Sequence, residues 1–135
     1  MNTDTAYTLV VWCSKKRPGE REAAHMYEKI CQGNLEDLVV SEDITAFVAE
    51  ITEKYPAIDA LPEADHSQCP WGGPFTVTDH YAILPLRREW GKLVKPLLNK
   101  ALKHNLTYYD PQNQMVFNPL GMFAWLKKMK RHVMP

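Results

Sequence analysis

The chain is poor in cysteine and glycine, has no long apolar run, and carries no net charge. Its three cysteines, Cys13, Cys31 and Cys69, are an odd number at wide spacings in 135 residues. That excludes a disulfide framework and fits a reducing compartment. Cys13 and Cys31 sit inside apolar patterns and read as small buried hydrophobes, whereas Cys69 falls in a loop and reads as more exposed. The longest apolar stretch near the start, Leu9 to Cys13, is far too short to cross a bilayer, and no basic segment precedes it. The expectation is a cytoplasmic protein with no signal peptide and no membrane contact. Only six glycines are present, and none forms a phosphate-binding loop or a G-x-S-x-G elbow. With 16 basic and 16 acidic side chains, the chain lacks the overall positive charge of a protein held to nucleic acid mainly through phosphates.

What is present is a patterned, ordinary globular sequence, 45% hydrophobic and 24% charged, long enough for one self-sufficient core. Tyr7 to Trp12 is apolar at nearly every position and predicts a central strand. Pro18 and Gly19 open a helix running to about Gln32, with an apolar stripe of Ala23, Tyr27, Ile30 and Cys31 and a C-terminal cap at Gly33. Ser41 caps a second helix on which Ile44, Phe47, Val48, Ile51 and Tyr55 share one face. Pro56 ends it. Ala57 to Pro74 is a long loop rich in proline and acids. Phe75 to Thr78 and Tyr81 to Leu86 predict a hairpin about Asp79-His80. A third helix spans about Arg88 to His104, with Pro96 expected to kink or restart it. Leu106 to Asp110 and Met115 to Asn118 predict a second hairpin. A final basic helix over about 120–133 carries Met122, Leu126, Met129 and Val133 on one face.

This order predicts a single α+β domain, its core at about 7–118. The fold class is an antiparallel sheet with helices mainly on one face, a ferredoxin-like split β-α-β elaborated by an extra helix, a hairpin strand and the C-terminal helix. The other sheet face, bearing Trp12 and Tyr109, is expected to lie under the final helix through Met122, Trp125 and Leu126. Left open, it would offer aromatic contacts to a partner or to unpaired bases.

The neutral total hides a split. Residues 1–70 carry 13 acids and 6 bases, and residues 71–135 carry 3 acids and 10 bases. One reading is attraction between two regions of one domain. The other is an acidic surface that includes Glu36, Asp37, Glu42, Asp43, Glu50, Glu53, Asp59, Glu63 and Asp65 and steers a basic partner.

Catalytic chemistry is sparse. His66 and Cys69 stand at an H-x-x-C spacing with metal-ligand types, but no second pair completes four ligands, so no metal or cofactor is expected. Cys69 with His66 or His80 has the residue types of a nucleophile and base, with nothing in the sequence to bring them together. The expectation is a protein that is not an enzyme. Trp71, in Cys69-Pro70-Trp71-Gly72-Gly73-Pro74, is either a plug that closes the core or a rigid interface anchor.

Four short motifs occur in order: Val11-Trp12 ending the first strand, Lys54-Tyr55-Pro56 ending a helix, Pro70-Trp71 after the acidic loop, and Leu106-Thr107-Tyr108-Tyr109-Asp110-Pro111-Gln112. Together they resemble a loose family of small bacterial α+β proteins encoded beside secreted polymorphic toxins, including contact-dependent and Rhs-type effectors. The resemblance covers about residues 7–118. It implies a cognate immunity protein that binds and blocks a toxin domain, with no catalytic residues to carry over. The expected contacts are Asp59, Glu63, Asp65 and Trp71, with Glu42 and Asp43. The alternative is a small nucleic-acid-binding module using the sheet aromatics and the basic last helix.

Overall fold

A computed structural model describes residues 6–119. The expected helix over 120–133, and with it the expected cover by Met122, Trp125 and Leu126, lies outside the described residues. Five strands form one antiparallel sheet: β1 (Ala6–Trp12), β2 (Thr76–Val77), β3 (Tyr81–Arg87), β4 (Thr107–Asp110) and β5 (Met115–Phe117), in the order β2-β3-β1-β4-β5. Among the described residues three α-helices accompany it: α1 (Glu20–Cys31), α2 (Glu42–Lys54) and α3 (Val94–Lys103). The first four strands have the order of a ferredoxin-like split β-α-β, and β5 is added beside β4. The α+β fold read from the sequence is the fold observed.

Alternation along the strands sorts the core into two layers. On one face Leu9 and Val11 of β1 stand beside Ala82, Leu84 and Leu86 of β3 and Tyr108 of β4; Leu9 lies directly across from Leu84. Ile44, Phe47 and Ile51 of α2 and Leu97 and Ala101 of α3 pack onto them. On the other face Val10, Trp12 and Tyr109 meet Ala23, Met26 and Ile30 of α1, with Leu38. Trp12 and Tyr109 stack obliquely, centroids 5.7 Å apart, and Tyr27 adds a second ring to Tyr109 at the same distance. Trp12 and Tyr109 therefore have a cover, and it is α1.

Local chemistry accounts for the boundaries. Gly19 precedes α1 and its N–H is taken by the Glu22 carboxylate, while Gly33 just beyond the helix adopts φ +82°, which a side chain would strain. Ser41 caps α2 by accepting from the Asp43 N–H at 3.0 Å. The predicted third helix is two pieces. Arg88–Leu93 is a 3₁₀ helix interrupted at Trp90, and α3 restarts at Val94. Pro96 then sits in the first turn of α3, where its missing N–H would have no partner in any case.

Gln112 explains much of the late Tyr-Tyr-Asp-Pro-Gln motif. Its side-chain amide donates to the Thr8 carbonyl at 3.0 Å and accepts from the Thr8 N–H. It thus continues the β1–β4 ladder beyond the Val10–Tyr109 pair, as a strand residue would. Asp110 holds the turn by accepting from Gln112 and Asn113.

Candidate functional site

The acidic loop after α2 is tied down at its ends and at its middle. Tyr55 is the C-cap of α2, and its carbonyl accepts the indole N–H of Trp71 at 2.9 Å, closing the loop across 16 residues. Trp71 pairs with Leu86, and its neighbours bond to the same strand: Arg87 N–H to the Pro70 carbonyl at 2.8 Å and Gly72 N–H to the Pro85 carbonyl at 2.9 Å. The Arg87 guanidinium then reaches into the loop. Nε donates to the Trp71 carbonyl at 3.2 Å and Nη2 to the His66 carbonyl at 2.9 Å. The His66 ring bonds the Leu61 carbonyl at 3.0 Å. Two short 3₁₀ helices, Ile58–Ala60 and Glu63–Gln68, shape the span between, and Ile58 and Leu61 pack on the core.

This frame holds Asp59, Glu63 and Asp65 exposed within seven residues of chain. The other two expected acids are elsewhere. Glu42 and Asp43 begin α2, whose 13 residues put them about 20 Å from the loop. Glu42 is exposed, while Asp43 is half-buried beside Cys13. The six expected contacts are therefore not one patch.

Trp71 requires a correction. It has 0% exposure, stands edge-on to Phe75 with centroids 4.7 Å apart, and belongs to the core beneath the loop. No partner reaches it in this fold, so of its two readings the plug is the observed one. Alternation does not apply to an isolated loop residue, which is why its neighbours in sequence could not assign it.

The wider acidic surface also shrinks. Glu50 bridges α2 to α3, bonding Lys100 Nζ and the His104 ring at 2.7 Å each. The Lys100 bond first, then the His104 bond, lower its pKa from 4.5 to about 2. Glu36 and Asp37 hold Lys29 at 3.1 and 2.9 Å. Of these only Glu50 joins the acidic part of the chain to the basic part; Glu36 and Asp37 are paired within the acidic part. Among the described residues no ion pair takes Glu53, Asp59, Glu63 or Asp65. A basic flank lies along Arg88, Lys92, Lys95 and Lys103, all exposed on α3 and the 3₁₀ helix before it.

The residues with nucleophile and metal-ligand types have structural duties. Cys69 is 4% exposed, accepts the Trp71 N–H at 3.2 Å and is buried rather than exposed. Cys31 is exposed rather than buried, because it follows Ile30 and is turned about 100° off the buried stripe of α1. Cys13 is half-buried; burial pushes its thiol pKa up, the Ser41 hydroxyl draws it down, and the Asp43 carboxylate adds to the rise. That is the opposite of an activated thiol. His80 bonds the Asp79 carboxylate at 2.9 Å beside the hairpin turn. Among the described residues no group of three His, Cys, Asp or Glu is placed to hold a metal ion. Trp12 and Tyr109, at 0% and 2% exposure, are closed to stacking bases. Arg87 was missed in the sequence, and His66 was singled out there for metal or base chemistry rather than for fastening the loop; the bonds of both depend on where the loop returns.

Comparison with protein-family models, with curated proteins and with solved structures found no match for the chain. No helix among the described residues is long and apolar enough to cross a membrane.

Proposed function

We propose that the protein is a cognate inhibitor of a bacterial toxin domain, and that the Tyr55–Trp71 loop is the part that enters the toxin's substrate cleft. The observation that carries this reading is the loop's construction. Three exposed carboxylates with no ion-pair partner among the described residues stand on a backbone fastened by the Trp71 indole, Arg87 and His66. A loop held in one shape loses little conformational entropy on binding, which raises affinity without new contacts. Many secreted toxins are nucleases or ADP-ribosyltransferases, and the substrates of both bear phosphates, which a positively charged cleft complements. Carboxylates presented at such a cleft complement it and speed association. The resemblance carried by Val11-Trp12, Lys54-Tyr55-Pro56, Pro70-Trp71 and Leu106 to Gln112 supports the same reading. In the structure the second and third of these motifs meet at the Tyr55–Trp71 bond.

The test is calorimetry of the purified toxin domain with wild-type protein and with an Asp59→Lys, Glu63→Lys, Asp65→Lys variant. Exposed charges contribute about 0.2–1 kcal/mol each. Removing three should weaken binding by about 0.6–3 kcal/mol, and reversal adds repulsion to that loss. The wild-type association rate should also fall with added salt. Unchanged affinity in the folded variant refutes the assignment of the loop.

A further inference from the structure

At the opposite end of β1, the loop into α1 carries Lys15, Lys16 and Arg17 in succession, all exposed. Like charges side by side repel, so folding gains nothing from their adjacency. Yet the loop's backbone is fixed. Ser14 pairs with Leu38, Ser14 Oγ donates to the Lys16 carbonyl at 2.7 Å, and Asn118 Nδ2 donates to the Pro18 carbonyl at 2.9 Å. Arg17 donates to the Pro119 carbonyl. None of these anchors uses a lysine side chain.

An open groove of about 560 Å³ separates this loop from α1. Its helical wall is Glu22, His25, Met26 and Lys29, which the i, i+3, i+4, i+7 spacing places on one face about 10 Å long. Glu36 and Asp37 also line it. Both volume and length suit a small molecule.

The bonding of the charged groups indicates which kind. The Glu22 carboxylate is occupied by the Gly19 N–H at 3.2 Å. Glu36 and Asp37 share Lys29, each through one oxygen, which leaves the other oxygen of each free to accept. Lys15 and Lys16 make no ion pair among the described residues. A second concavity of about 180 Å³ adjoins the same two lysines; Asn105 and Thr107 line it, and no carboxylate does. The groove's lining is balanced, three lysines against three carboxylates, so the excess positive charge lies where Lys15, Lys16 and Arg17 border the second concavity.

We infer that this groove binds a compact phosphate-bearing ligand of nucleotide size, its phosphates on Lys15 and Lys16 and its uncharged part along His25 and Met26. The remaining lone pairs of Glu36 and Asp37 accept hydroxyl or amino hydrogens from that part. A polynucleotide fits less well, because phosphates continuing along the groove would meet these two carboxylates.

The test is calorimetry on the full chain at about 50 mM salt, where phosphate contacts are strongest, with ADP, pyrophosphate and a short single-stranded RNA as probes. ADP should bind, and pyrophosphate should compete with it. A Lys15→Ala, Lys16→Ala variant, with an unchanged circular dichroism spectrum, should lose at least about tenfold in affinity through two lost charge-assisted bonds. Lys95→Ala, on α3, should change nothing. The inference is overturned by no binding of ADP or pyrophosphate at millimolar concentration, or by undiminished affinity in the double variant. RNA binding that tightens with chain length, without ADP binding, also overturns it.

Discussion

Replacing Trp71 with phenylalanine isolates the bond that closes the acidic loop. Trp71 is fully buried, and a phenyl ring at that site can keep much of the edge-on contact with Phe75. What is lost is the indole N–H to the Tyr55 carbonyl at 2.9 Å. Leaving that acceptor without its partner costs about 1–2 kcal/mol. The smaller ring leaves a void that adds about 1 kcal/mol. The expected loss is therefore about 2–3 kcal/mol. With an unfolding entropy of about 2.1 cal/mol/K per residue over 135 residues, Tm should drop by about 7–11 °C. Thermal and urea melts followed by circular dichroism measure this. Limited proteolysis should cut the variant sooner between residues 57 and 68, since the loop has lost its closing bond. A Tm within about 2 °C of wild type, with unchanged proteolysis, would refute the claim that Trp71 both plugs the core and closes the loop. Lost partner binding with unchanged stability would make Trp71 a contact after all.

Glu50→Gln should destabilise the protein at neutral pH by weakening the bridge from α2 to Lys100 and His104. Because the Glu50 pKa falls from 4.5 to about 2 on folding, the bridge stabilises above 4.5 and is lost as pH falls through 2. Urea melts of the two proteins should therefore converge across that window, and a gap as large at pH 2 as at neutral pH contradicts the bridge. Gln112→Ala removes both bonds to Thr8 and should cost about 1–2 kcal/mol. Hydrogen exchange at the Thr8 amide should quicken, whereas an unchanged rate would show that the amide does not extend the ladder.

Most of the fold was legible because period-two and period-3.6 patterns are long enough to read. Ile44, Phe47 and Ile51 declare the buried face of α2, and all three are buried. Ser41, Gly33 and Pro56 mark helix ends through local chemistry alone. Which helix covers Trp12 and Tyr109 was not legible, because α1 and the C-terminal segment offer similar apolar stripes and the choice depends on chain path. The loop acids Asp59, Glu63 and Asp65 were legible as exposed charge. The residues that hold them were not: Arg87 belongs to β3, 21 residues after His66, and only tertiary structure brings its guanidinium to the His66 carbonyl. Trp71 and Cys69 failed for the same reason, since a loop that folds back onto the core has no periodicity to announce its buried side.

The central claim is toxin neutralisation through the Tyr55–Trp71 loop, and co-expression tests it most directly. The C-terminal domain encoded by the gene immediately upstream would be expressed in bacteria alone, with this protein, and with the Asp59→Lys, Glu63→Lys, Asp65→Lys variant. The account predicts growth arrest by the domain alone, rescue with a stable complex on a sizing column for the wild type, and weakened rescue for the variant. Arrest that the wild-type protein does not relieve, with no complex formed, would contradict it.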